Sequence, residues 1–154
     1  MESFQPVIDE LNERANGTND TKLKKWLNCS SQLVSEFQER GLPVSAFDEC
    51  FKVLRKQLDG ETRYAQIRSF YSMLTDTARN QFQLTTPNYY QSYWMSIGMA
   101  AFGVPFGLMF SMALDNFAFF AIGLPFGLSI GLAIGAGKDK KAKDEGTQLN
   151  VQTR

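Results

Sequence analysis

Histidine is absent from this 154-residue sequence, and cysteine occurs only twice, as Cys29 and Cys50. Without histidine the chain lacks the commonest general base and the commonest metal ligand, so enzyme chemistry and a bound cofactor are not expected. The cysteines are not in CxxC spacing and fall on predicted helices. Buried, reduced thiols account for them, with a disulfide or a metal site as the alternative. An excess of one charge is missing too: 16 basic residues balance 16 acidic ones. Nothing in that balance calls for nucleic acid as a partner. A run of basic residues followed by an apolar stretch is likewise missing at the N-terminus, where Met1 to Pro6 leads into a polar, amphipathic segment. Export through a cleaved leader is therefore not expected.

The most telling lack is local. Between Ser92 and Gly137 the only charged residue is Asp115, whereas charges of both signs are frequent before Gln91 and return at Lys138. So abrupt a shift marks domain boundaries. Three parts are expected: a helical domain over 1–88, an apolar region over 89–137, and a charged C-terminal tail over 138–154.

The first part reads as four helices. Phe4 to Ala15 carries Val7, Ile8 and Leu11 at helical spacing and ends at Asn16-Gly17. Asp20 is placed to cap a second helix with Leu23, Trp26, Leu27, Leu33, Val34 and Phe37, stopped by Gly41 and Pro43. Ser45 is placed to cap a third (Phe47, Cys50, Phe51, Leu54, Leu58), ending at Asp59-Gly60. A fourth begins near Glu61, carries Tyr64, Ile67, Phe70, Tyr71 and Leu74, and reaches Phe82 before Thr85-Thr86-Pro87. No segment alternates with period two, so no strand is expected. The apolar stripes read as the core of a small bundle; a surface for a partner protein (Tyr64, Phe70, Tyr71) is the alternative.

The apolar part contains two runs, about 93–114 and 117–137, each long enough to cross the ~30 Å hydrocarbon core of a bilayer. Only Asp115 and Asn116 separate them as polar residues, which predicts an antiparallel transmembrane hairpin. Tyr89, Tyr90, Tyr93 and Trp94 lie where amphipathic rings favour the membrane interface. Lys138, Lys140, Lys141 and Lys143 follow the second run, and the turn has no basic residue. The positive-inside rule then puts the C-terminus in the cytoplasm, and two spans put the N-terminal domain there as well. The expected fold is thus all-α: a cytoplasmic helical bundle followed by a two-helix transmembrane hairpin.

An internal repeat stands inside the hairpin. Gly103-Val104-Pro105-Phe106-Gly107-Leu108 recurs as Gly123-Leu124-Pro125-Phe126-Gly127-Leu128. Small residues run on as Gly103, Gly107, Ser111 and as Gly123, Gly127, Gly131, Gly135. A spacing of four puts them on one face where another backbone can approach closely. That backbone is either the other helix of the hairpin or a neighbouring subunit. Each helix also has a bulky ridge (Phe102, Phe106, Phe110; Ile122, Phe126, Ile130, Ile134). Counted this way, the hairpin has more faces than its single internal interface uses, which predicts a homo-oligomer. Pro105 and Pro125 each remove a hydrogen bond and are expected to break or loosen the helix there. The two Pro-Phe-Gly units would form an inverted pair, which is read either as packing alone or as a transport site. Asp115 and Asn116 are a solvated turn, or in an oligomer the acidic mouth of a pore.

The glycine repeat followed by the Asp139–Lys143 segment resembles the small bacterial glycine-zipper membrane proteins over about 98–145, a functionally uncharacterised group. That resemblance implies a bacterial inner-membrane location and oligomerisation. Two functions follow as expectations. One is a homo-oligomer in membrane lipid that forms a channel or pore gated by its cytoplasmic domain. The other is a non-conducting, membrane-anchored scaffold or accessory subunit that binds another protein through the helical domain.

Overall fold

Helices account for nearly all the regular structure of the computed structural model, which describes residues 3–58 and 62–151. There is no strand among the described residues. The elements are α1 (Gln5–Gly17), α2 (Thr21–Glu39), a 3₁₀ turn (Val44–Phe47), α3 (Asp48–Leu58), α4 (Tyr64–Phe82), α5 (Tyr89–Gly98), a π-helical turn (Met99–Gly103), α6 (Val104–Ala113), a second 3₁₀ turn (Phe117–Phe119) and α7 (Phe120–Asp144). They fall into two compact units: 1–86 with 149–154, and 87–148.

The first unit is built as the helical periodicity requires. Asp20 Oδ1 accepts from the backbone N–H groups of Lys22 (2.8 Å) and Leu23 (3.3 Å), so α2 starts at the expected cap. Gly41, with φ +67°, ends its last turn in a conformation that glycine adopts without steric cost. Ser45 does not cap α3. It lies inside the 3₁₀ turn that leads into Asp48, and no side-chain cap bond forms there. The expected ends at Asp59-Gly60 and Glu61 lie outside the described residues. Helix α4 closes at Gln83, which takes a left-handed conformation.

The core of this unit is aromatic. Phe37 and Phe47 stack at 4.6 Å, and Phe4 meets Phe47 and Phe51 edge-on at 5.9 and 6.0 Å. Phe70 and Tyr71 are buried, as the core reading expects, whereas Tyr64 is 43% exposed. Burial without a strong donor beside it pushes the Tyr71 phenol well above its usual range. Cys29 and Cys50 are buried and form no disulfide, and desolvation raises both thiols.

The expected tail over 138–154 divides differently. Helix α7 runs on to Asp144, seven residues past Gly137, so the lysine-rich segment is helical. Leu149 and Val151 then belong to the first unit and are each 1% exposed in its core. The Leu149 N–H donates to Thr85 O (2.8 Å), and the Asn150 N–H to Glu36 Oε2 (2.7 Å). Glu36 is held in turn by Arg40 at 2.8 Å. A charged tail has no reason to pack, but this one carries two apolar residues at alternate positions, enough to fill a slot in extended form. The second unit is therefore an insertion in the first.

Truncating the returning segment should cost what a core truncation costs. Leu149→Ala is expected to lower unfolding free energy by about 2–4 kcal/mol, read by denaturant melts of the full chain in detergent. A loss below about 0.5 kcal/mol, the range of ordinary surface substitutions, would show that the segment is not part of the core.

Candidate functional site: the glycine seam and its acidic staple

Two helical segments, Tyr89–Ala113 and Phe117–Asp144, are long and apolar enough to cross a membrane. They pack against each other in opposite directions, with partners that run backwards along the two sequences. Gly135 lies beside Gln91, Gly131 beside Trp94 and Met95, Gly127 beside Gly98 and Gly103, and Gly123 beside Gly103 and Gly107. The contacts are backbone to backbone. A methyl group on Gly98 would meet the Gly127 oxygen at 2.5 Å, and one on Gly135 would meet the Gln91 Cα at 2.5 Å. Methyl groups on Gly123, Gly127 or Gly131 would collide with backbone atoms of Gly107, Gly103 and Trp94 respectively. So close an approach brings the two backbones into dispersion and Cα–H contact.

This arrangement settles where the glycines of the repeat are used. Gly103, Gly107, Gly123, Gly127, Gly131 and Gly135 are all buried against the opposite arm. The surplus glycine face expected from counting surfaces is not there, because the helix-packing face of each arm is spent on the other. Ser111 is part-buried near the turn; its carbonyl accepts the Asn116 N–H (3.1 Å) and its hydroxyl has no partner. What points outward is bulky, with Phe102, Ile122, Phe126 and Ile134 39–55% exposed.

Gly98 is a seam residue that the spacing of four hides. It precedes Gly103 by five residues, which on an ideal α-helix puts the two ~140° apart. The π turn over Met99–Gly103 removes that offset by adding one residue to the turn, with the Val104 N–H donating to Met99 O. Its cause is Pro105, which cannot donate and whose ring crowds the carbonyl four residues earlier. Pro105 thus widens its helix and re-phases the glycines rather than breaking the helix. Pro125 lies inside α7, which continues through it unbroken.

Below Gly135 the same stripe continues, four residues on, at Asp139. Its side chain is buried and its two oxygens accept from the backbone N–H groups of Tyr90 (3.1 Å) and Gln91 (2.9 Å). Those groups are in the first turn of α5, where donors have no partner within the helix. Asn88, the local cap position, makes no side-chain cap bond. The cap comes instead from the other arm, as a carboxylate at the positive end of the helix dipole. Lys138, one residue earlier, lies over the rings of Trp94 (5.3 Å) and Tyr90 (5.9 Å). Tyr89 and Tyr93 stack at 6.2 Å, with Tyr93 54% exposed. Lys140, Lys141 and Lys143 are exposed on the last turns of α7, and Lys141 reaches Glu145 at 3.6 Å.

At the other end, Asp115 takes a left-handed conformation (φ +47°) and Asn116 Oδ1 accepts from the Ala118 N–H (2.9 Å). Asn116 thereby starts the second arm, and both residues are exposed. The hydroxyls of Ser96 and Ser129 bond back to Ser92 and Pro125 carbonyls of their own helices. No group of three metal-ligating side chains occurs among the described residues. No protein-family model matches this chain, and no curated protein or solved structure matches it.

Glycine positions should differ sharply in tolerance. At Gly103 an added methyl meets its neighbours at an ordinary 3.5 Å, so Gly103→Ala is expected to be near neutral. Gly131→Ala must push two backbones apart and should cost about 1–3 kcal/mol, as overpacking does. Thermal melts in detergent of the two variants, compared side by side, provide the check. Asp139→Ala leaves two buried N–H groups unpaired and should lose about 1–3 kcal/mol, while Asp139→Asn retains one acceptor and should lose less.

Proposed function

We propose that this chain is a membrane-anchored helical adaptor: a non-conducting scaffold or accessory subunit, held at the bilayer by the glycine-sealed pair. The observation that carries this reading is the self-sufficiency of that pair. The glycines of its repeat are consumed internally, the hydroxyls of Ser96 and Ser129 bond to their own helices, and its outward surface is bulky and apolar. In this reading the pair crosses the membrane twice as a hairpin. The return of Leu149 and Val151 to the first unit supports having both ends on one side. Lys138, Lys140, Lys141 and Lys143 favour the cytoplasmic side, a bacterial inner membrane being the setting that the glycine-zipper resemblance implies. The first unit would then be the part that meets a partner protein.

The competing proposal is a homo-oligomer that conducts. It would have to assemble through the phenylalanine ridge, where Phe102 and Phe106 stack at 6.4 Å, rather than through the glycines. Its pore would be apolar.

The two readings part in one set of measurements. The full chain is expected to resist carbonate extraction from vesicles, to run as a monomer by light scattering in detergent, and to leave planar bilayers silent across voltage and tension. A stable oligomer with stepwise conductance would overturn the adaptor reading in favour of the channel. Release by carbonate would overturn the membrane anchor itself.

A further inference from the structure

The first halves of α2 and α4 carry cations and no acids. From Thr21 to Ser35 the charged residues are Lys22, Lys24 and Lys25, and from Thr62 to Thr75 they are Arg63 and Arg68. This is unusual in a chain of balanced charge, and the fold brings the two segments side by side. Lys22 Nζ lies 5.9 Å from the centre of the Tyr64 ring, and the Arg68 guanidinium lies 5.7 Å from that of Trp26. Trp26 in turn meets Tyr71 edge-on at 5.4 Å, tying the pair to the core. Lys22, Lys24, Lys25, Tyr64 and Arg68 are exposed, and Trp26 is half-buried. Asp20, two residues before Lys22, is occupied in capping α2. Glu10 and Glu13 line a groove with Leu23, Leu27 and Thr62.

We propose that this α2/α4 face binds anionic phospholipid headgroups at the membrane surface. Amphipathic rings settle at headgroup depth, and Lys and Arg close to them gain from the negative surface potential of anionic lipid. The flexible ammonium and guanidinium groups suit a fluid array of phosphates. The inference rests on the membrane-anchor reading, because tethering keeps the face within reach of lipid and makes several weak contacts sufficient.

The test uses the full chain in lipid nanodiscs of neutral phosphatidylcholine, or with about 30% phosphatidylglycerol, a composition that makes the surface clearly negative. Lysine acylation rates are read by mass spectrometry at Lys22 and Lys25, relative to exposed Lys56 on α3. On the anionic discs, labelling at Lys22 and Lys25 is expected to slow by about fivefold, the factor that one lysine gains near an anionic surface. Salt at about 0.5 M should abolish the difference by screening. Lys22→Gln with Arg68→Gln should reduce the protection remaining at Lys25, whereas Lys52→Gln with Arg55→Gln on α3 should leave it unchanged, Lys56 remaining the reference. Equal labelling on both discs, or protection that survives the Lys22/Arg68 pair, overturns the proposal. So does equal labelling on the discs combined with protection by a poly-glutamate peptide, which would assign the face to acidic protein. Co-elution of the chain with neutral discs at high salt reports the anchor separately. Its loss would sink the anchor reading while the labelling comparison still decides the face.

Discussion

The second unit depends on one constraint, the close approach of backbone to backbone along a line of glycines. Seven glycines line this seam, and the distances left for a methyl group are those of collision at all but Gly103. Dispersion falls steeply with separation, so atoms in direct contact contribute and atoms an ångström further away largely do not. A repeating line of glycines is also indifferent to a slide of one repeat. The register comes from its ends: the Asp115-Asn116 turn at one, and the Asp139 carboxylate on the Tyr90 and Gln91 amides at the other. Attraction and specificity are thus supplied by different residues, the buried polar group serving to fix register.

Much of the architecture could be read from residue spacing. The four apolar stripes of the first unit, the Asp20 cap and the burial of both cysteines follow from periodicity and capping chemistry, which act locally. The two apolar segments and the polar turn between them are equally local facts. The features that spacing concealed depend on contacts between distant residues. Gly98 is out of phase on a regular helix and joins the seam only because Pro105 forces a π turn. Asp139 lies in a run of lysines and reads as solvated charge, although its position four residues after Gly135 was the available clue. Leu149 and Val151 are two apolar residues in a polar stretch, too few to signal burial until the slot that receives them is known.

The same distinction explains why counting faces anticipated a surplus. A count treats each helix as having a fixed groove and ridge, so two helices leave one groove over. The actual pair turns both grooves inward and lets them share a single seam. What remains outside is phenylalanine, isoleucine and methionine.

Because residues 87–148 interrupt the first unit rather than follow it, the order of synthesis acquires a physical meaning. A ribosome delivers the four helices first, then the apolar pair, and only afterwards the two residues that complete the helical core. Until Leu149 and Val151 arrive, the helical unit has an open slot and an unpaired Glu36 oxygen in its wall. The helical core can therefore be completed only after the whole inserted segment has been made.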